Sequence, residues 1–245
     1  MVSVAPGLPM TSIGEAGAVR TVQWQGISKQ LDWQVSASAR SQPARHLDGL
    51  VAFGEQSCAD FEFTWQLSTS SSWATERLDM RLVGLAPGSG QFSAPKLNRT
   101  LLLEQSAAGW RSTAWRYDDA TALPAPGLAG NDHPAPTLDV VIDACPLSHW
   151  APIRRLGLAG PRQKARRGSP SRPLATAFPV LRVRLPSLSV SITRHRYVWV
   201  EDLGQTRLLK HSFAGEPTTA LTVDDQGVPI EFDGLYRRAD SALVA

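Results

Sequence analysis

The stretch Phe61-Glu62-Phe63-Thr64-Trp65-Gln66-Leu67 alternates apolar and polar side chains without a break. Successive side chains of a β-strand point to opposite faces, so the four apolar residues share one face. This period of two predicts a strand that is buried on one side and faces water on the other. Sheets with one wet face are typical of antiparallel strands joined by hairpins.

Further strand-like runs follow along the chain. Alternating or short apolar runs occur at residues 78–82, 181–185, 189–192, 197–200 and 219–223, and continuously apolar runs occur at 101–103 and 140–142. The second kind is typical of strands that are buried on both faces. Turn sequences separate the runs, among them Asp48-Gly49 and Asp224-Asp225-Gln226-Gly227. Because no helical periodicity stands out, the sequence predicts an all-β, antiparallel fold with few or no helices.

The domain organisation follows from the same pass along the chain. Residues 1–20 are rich in Gly, Pro and Ala and predict a loose leader, whereas residues 21–240 predict a single domain. Two segments interrupt the strand pattern, near 84–98 and 159–173, and predict flexible insertions, because a mixture of Pro, Arg and Ser cannot bury itself.

The basic character of the chain is local. The formal net charge is +3, and without the five cations of one short segment it would be −2; these are Arg162, Lys164, Arg166, Arg167 and Arg172. The remainder is therefore nearly neutral, which argues against the broad basic face of a specific nucleic-acid-binding protein. A solvated basic loop is one interpretation of the segment, and a surface for acidic partners is the alternative.

Several function classes find no support in the sequence. Glycine-rich phosphate loops, HExxH motifs and EF-hand spacings are absent, and the five histidines lack the close spacing of metal ligands, so we expect no cofactor and no metal. Two cysteines, Cys58 and Cys145, exclude a disulfide-rich scaffold and leave open whether they pair. No run of about 20 apolar residues predicts a membrane span, and no basic, apolar leader predicts secretion, so the expected compartment is the cytoplasm.

Two segments carry candidate binding residues. Arg77 follows Trp73 by four residues at a predicted strand start, where a guanidinium could stack on the ring and face an anionic or sugar-bearing head group. The run from Leu138 to Leu156 predicts a strand, a turn and a second strand containing Arg154 and Arg155, of which only one could then face a cavity. Asp143 could pair with an arginine across this turn, so that a structural ion pair and head-group binding both remain open.

The end of the chain predicts a hairpin. A strand, the turn Asp224-Asp225-Gln226-Gly227 and a return strand starting at Pro229 follow one another. The carboxylates could suggest acid–base chemistry, but we favour turn formation, because aspartates in turns bind local backbone N–H groups. Pro229 restricts the return strand to an edge or to its first residue.

Taken together and in this order, these motifs resemble those of the bacterial "putative glycolipid-binding" family, over roughly Trp33 to Arg238. The matching positions are Trp73 and Arg77, Asp143 and Pro146, Pro152-Ile153-Arg154-Arg155-Leu156, Arg196-Tyr197, Asp224 and Gly227, Phe232-Asp233-Gly234-Leu235, and His46-Leu47-Asp48-Gly49. The turn Cys-Pro-Leu-Ser-His-Trp-Ala at 145–151 departs from the Thr-rich turn of the family. The resemblance implies a single rolled antiparallel sheet, a spiral β-roll or open barrel similar to the periplasmic lipoprotein carriers, with a concave side for an acyl chain or glycolipid.

Three hypotheses follow. The first is non-enzymatic binding of a lipid or glycolipid in an apolar cavity lined by Phe61, Phe63 and Trp65, with the expected ligand-binding residues Trp73, Arg77, Arg154, Arg155, Tyr197 and Trp199. The second is a hydrolase or isomerase acting on a hydrophobic substrate, for which Ser148-His149, beside Cys145 and Asp143, is the candidate constellation. The third is an interaction protein that uses the basic 162–172 loop. We favour the first, and we predict no catalytic residue.

Overall fold

The computed structural model describes residues 20–26, 36–43, 50–57, 61–84, 98–116, 122–123, 137–159, 177–213 and 215–239. Apart from their end residues, the predicted leader 1–20 and the insertions near 84–98 and 159–173 lie outside these ranges. So do Cys58 and the predicted turn Asp48-Gly49.

Strands make up most of the described chain. The first eight are β1 (Arg20–Gly26), β2 (Ser36–Pro43), β3 (Leu50–Ser57), β4 (Phe61–Thr69), β5 (Thr75–Gly84), β6 (Arg99–Ser106), β7 (Gly109–Arg116) and β8 (Ala122–Leu123). The remainder are β9 (Val140–Ile142), β10 (Phe178–Arg184), β11 (Ser189–Leu203), β12 (Thr206–Phe213), β13 (Thr219–Asp224), β14 (Pro229–Phe232) and β15 (Tyr236–Arg238). Between β9 and β10 lie a one-turn 3₁₀ helix (Pro146–His149) and helix α1 (Trp150–Arg155).

The strands form one sheet in the order β8-β7-β6-β5-β4-β3-β2-β1-β15-β14-β13-β12-β11-β10-β9. Strands β1 to β8 run outward to one edge, and β9 to β15 run from the opposite edge back to β1. Neighbours are antiparallel except β9 and β10, which are parallel and are joined by a long crossover connection that contains the two helices.

The sheet rolls on itself, as its long-range bonds demonstrate. The segment just before edge strand β9 reaches across to the other half: Thr75 N donates to Leu138 O (2.8 Å), and Trp110 Nε1 donates to Thr137 O (2.7 Å). The predicted rolled, antiparallel, all-β fold is therefore confirmed, with one parallel pair at the edge.

The alternation of the sequence matches the burial of the strands. On β4 the aromatic and leucine positions are buried and the intervening ones exposed, and on β5 Leu78, Met80 and Leu82 are completely buried. All three residues of β9 are buried, as the continuous apolar run predicts. In β6, by contrast, Leu102 is only half-buried between two buried leucines, so that strand is covered on one face more than on the other.

The inward side chains of both halves form one hydrophobic cluster. Trp65 lies directly over Gly54 on the neighbouring strand: a Cβ at Gly54 would sit 2.4 Å from the indole carbons of Trp65. The glycine therefore makes room for a tryptophan that fills the interior of the roll.

One prediction is wrong: residues 152–156 are not a strand. Helix α1 covers Trp150–Arg155, and its first four residues are all buried. Six residues are too few to show a helical period, and burial of the first four leaves only the two terminal arginines to mark a polar face. Pro152 fits because the N–H groups of a helix's first turn have no intrahelical partner to lose.

The C-terminal hairpin is as predicted. Strands β13 and β14 flank the 224–228 turn, and Pro229 is the first residue of β14. Asp224 Oδ1 accepts hydrogen bonds from Gln226 N (3.0 Å) and Val228 N (2.9 Å), and Gly227 has a φ of 82°. The carboxylate thus serves the turn, and its other oxygen binds Arg238 (3.0 Å).

Candidate functional site

Residues 143–158, here called the plug, fill the inner side of strands β11 to β14. The His149 ring packs against His211 on β12 and Phe232 on β14, with ring centroids 4.9 and 5.1 Å apart. Trp150 Nε1 donates to Gln226 O (2.9 Å) in the β13–β14 turn. The plug therefore occupies the concave side, where ligand-lining residues are expected.

Ser148 holds the plug's turn together. Its Oγ donates to Cys145 O (2.6 Å) and accepts from Ile142 N (3.1 Å), and the residue is buried. The His149 ring instead bonds through Nδ1 to the Tyr197 hydroxyl (2.6 Å). Burial raises the pKa of the Cys145 thiol to about 12, which keeps it protonated. The Ser148-His149 constellation is thus not arranged as a nucleophile with its base.

Trp73, Trp150 and Arg154 come together at one end of the plug. The Trp73 and Trp150 rings lie 5.4 Å apart, and the Arg154 guanidinium lies over the Trp73 ring, 4.5 Å from its centroid. Trp73 has a φ of 67°, a left-handed conformation that L side chains rarely adopt, and its N–H bonds to Ser70 O (3.0 Å) in a tight turn. The arginine over Trp73 is thus the one from the plug and not Arg77.

Arg154 differs from four other partly buried arginines, each of which contacts a carboxylate. These pairs are Arg155–Asp139, Arg182–Asp143, Arg207–Asp202 and Arg238–Asp224. Within the described ranges no acidic group pairs with Arg154, and burial lowers the pKa of its guanidinium. A cation that is desolvated without a counter-ion favours an added anion.

The neighbouring Arg155 anchors the plug to the sheet edge. Its Nη2 lies 2.5 Å from Asp139 Oδ2, and its guanidinium lies over the Phe178 ring at 5.2 Å. Asp139 is completely buried, and this burial raises the pKa of its carboxyl although Arg155 opposes the shift. Adjacent helical residues point about 100° apart, so the two arginines diverge for a helical reason and not because they alternate along a strand.

The expected partner of Asp143 lies on a strand and not across the turn. Arg182 on β10 contacts both carboxylate oxygens of Asp143, through Nε (2.5 Å) and Nη2 (3.2 Å). The same guanidinium lies 4.5 Å from the Phe213 ring centroid. This forked pair fixes the corner at which β9 ends, which is the structural role that the sequence left open.

A histidine cluster, His149, His195 and His211, forms where the plug meets strands β11 and β12, and no sequence spacing indicates it. His195 Nδ1 and His211 Nε2 are 3.0 Å apart, and Thr193 Oγ1 is 2.9 Å from His195 Nε2. Inward positions of β11 and β12 supply two of the rings and the plug supplies the third. Their spacing of two residues is enough to predict that His195 and Tyr197 share one face of a strand. The position of His211 beside them depends on the register of β11 against β12, which pairs Tyr197 with His211.

The cluster is uncharged at neutral pH. Burial lowers the pKa of His195 to about 4 and that of His211 to about 3, and the nearby Arg182 cation adds to both shifts. Burial also lowers the pKa of His149 and raises that of Tyr197, which the charge of Asp139 raises further. Among the described residues no group of three His, Cys, Asp or Glu side chains has the geometry of a metal site.

The two remaining predicted residues lie apart from Trp73. Half-buried Trp199 packs against the guanidinium of Arg207, which is 5.0 Å from its ring. Arg77 is exposed on β5 and binds Glu104 (2.6 Å). The structure therefore brings Trp73 and Arg154 together and places Arg77 in a surface ion pair. Tyr197 bonds to His149 of the plug, and Arg155 of the plug pairs with Asp139.

A cleft of about 360 Å³ lies elsewhere, on strands β3 to β5. Its lining residues are Glu55, Gln56, Ser57, Glu62, Phe63, Thr64, Arg81 and Val83. Except for Phe63, none of these was expected to contact a ligand. In the described part of the chain, no helix has the length and apolar character required to cross a bilayer.

Known proteins provide a family match and a similar solved structure for this chain. No curated protein matches the sequence. The crystal structure of a DUF1089 family protein from Pseudomonas aeruginosa is 18% identical, with 97% of this chain and 99% of that chain covered and a TM-score of 0.47. The family described as "Putative glycolipid-binding" matches residues 21–238, nearly the whole chain, and this protein therefore belongs to that family.

Proposed function

We propose that this protein binds a lipid or glycolipid without catalysing a reaction, and that Arg154 and Trp73 contact the polar head group. The observation that carries the proposal is the Arg154 guanidinium, partly buried over the Trp73 ring without a described carboxylate partner. A guanidinium stacked on a ring keeps its N–H edge free to donate to phosphate, carboxylate or sugar oxygens. Membership of a glycolipid-binding family supports the same ligand class.

The conformation of Trp73 adds support. A left-handed backbone at an L-residue costs roughly 1–2 kcal/mol, and glycine or asparagine would fill this turn position more cheaply. Strained residues of this kind cluster at ligand sites, where the surrounding structure holds them. The strain at Trp73 is accounted for if its ring must support Arg154 at the rim of the roll.

The apolar part of the ligand would lie beside the plug. Tyr197 and the half-buried Trp199 occupy inward positions of β11 there. Since the described interior is one packed cluster, an acyl chain would have to displace plug side chains or lie along their edge. Binding would then be accompanied by a change in tryptophan fluorescence, because Trp150 belongs to the plug and Trp73 packs against it.

The test is native mass spectrometry of the purified protein, followed by organic extraction and by exposure of delipidated protein to a total bacterial lipid extract. We expect a bound lipid in the wild type, weaker retention in Arg154→Lys, and loss in Arg154→Gln and Trp73→Ala. Arg111→Gln removes an exposed arginine from β7 and serves as the matched control. A protein that takes up no lipid, or an Arg154→Gln variant that retains lipid as the control does, would overturn the proposal.

A further inference from the structure

The large hydrophobic side chains that stand exposed in the described structure all belong to one strand. They are Ile192 (38% exposed), Val200 (36%) and Leu203 (50%), on β11. Scattered single apolar residues on a surface need no explanation, so these three gain significance only from the strand and the charged neighbours that they share.

A β-bulge keeps this row on one face. The register of β11 against β12 shifts between Trp199 and Glu201, so Val200 is the extra residue. Val190, on the same side of the strand as Ile192, is buried in the core, but from Ile192 to Arg196 the even-numbered residues are exposed, and after the bulge the odd-numbered Glu201 and Leu203 are. Ile192 and Leu203 therefore share the outer face although their numbers differ by eleven.

The same face is basic. Arg194 and Arg196 lie between Ile192 and the bulge at outward, exposed positions, and exposed Lys210 on β12 is directly opposite Val198. Glu201 is the acidic side chain on this face of β11, while Asp202 turns inward to Arg207. Three cations thus stand against one carboxylate among the apolar side chains.

We infer that this outer face of β11 and β12 docks on an anionic lipid bilayer. Interfacial protein surfaces combine apolar side chains that enter the head-group region with Lys and Arg that attract anionic lipids. The charge on this face complements such a bilayer, and the exposed apolar row supplies the inserting groups. The surface lies apart from Trp73 and Arg154, so the inference does not depend on the lipid-binding site proposed above.

Vesicle flotation tests the inference. The full-length protein is mixed with phosphatidylcholine vesicles that either contain about 30% of the anionic lipid phosphatidylglycerol or lack it. We expect binding to the anionic vesicles only, weakened by high salt. Each basic side chain near such a surface contributes roughly a factor of five in affinity, so R194Q/R196Q/K210Q should bind about a hundredfold more weakly.

Two further variants make the outcome decisive. I192S/L203S keeps the charge and should also lose binding, whereas R81Q/R111Q/R237Q removes the same charge from exposed positions on β5, β7 and β15 and should bind like the wild type. Circular dichroism verifies folding. Absence of flotation with anionic vesicles, or equal losses in the two triple variants, would overturn the inference. Retention of extracted lipid by R194Q/R196Q/K210Q separates loss of docking from loss of the ligand site.

Discussion

Removal of Arg155 should reveal how the plug is held. Arg155→Met keeps the length of the side chain but leaves the completely buried carboxylate of Asp139 without its cation. Breaking a buried pair by removing one partner costs about 3–5 kcal/mol. The exposed pair Arg77–Glu104 has a similar N–O distance of 2.6 Å, with both side chains at least 40% exposed. Arg77→Met should therefore cost less than about 1 kcal/mol, since water already solvates both of its charges.

The assay is urea unfolding followed by tryptophan fluorescence at pH 7 and pH 5. Burial raises the folded-state pKa of Asp139 above its usual 3.8, and loss of Arg155 should raise it further. The folded variant then takes up a proton at a higher pH than the unfolded chain, so its deficit relative to wild type shrinks as the pH falls.

Addition of Asp139→Asn to Arg155→Met should recover much of the lost stability at pH 7, because it removes the isolated charge. The reasoning would be refuted if Arg155→Met cost no more than Arg77→Met, or if Asp139→Asn gave no relief.

Three further predictions concern the interior. Gly54→Ala should destabilise the protein by about 1–3 kcal/mol, because its Cβ would overlap the buried Trp65 ring; unchanged urea midpoints would contradict this. Tyr197→Phe should cost about 1–3 kcal/mol by leaving the buried His149 Nδ1 without its hydroxyl partner, and thermal unfolding measures the loss. The histidine cluster should make stability fall as the pH is lowered from 6.5 toward 4, by roughly 3 kcal/mol per histidine, since the unfolded chain takes up protons in this range and the folded cluster does not; a flat profile of unfolding free energy against pH would exclude it.

The candidate site was only partly accessible from the sequence. The sequence indicates Trp73 and Arg154 as binding residues, but their direct contact depends on the rolled sheet, which brings the plug to the β4–β5 turn although 80 residues separate the two. Spacing alone predicts that Arg77 pairs with Trp73. Its actual partner, Glu104, lies on the adjacent strand β6, and such partners depend on strand register.

The histidine cluster illustrates the same limit. His149, His195 and His211 are scattered in the sequence, and none has a spacing that indicates a shared site. The register of β11 and β12 brings His195 and His211 together. The 3₁₀ helix that follows β9 along the chain adds His149 to them.

Local chemistry alone was sufficient for the strands, the hairpin turn at Asp224 and the all-β class. A period of two and the hydrogen bonds of a turn aspartate act over a few residues, so the chain encodes them locally. The helix at Trp150–Arg155 was hidden because every residue of its first turn is buried, which erases the amphipathic pattern. The pairing of charges, the filling of the concave side and the isolation of Arg154 depend on which distant surfaces meet, and burial and dielectric surroundings arise only when the sheet rolls up.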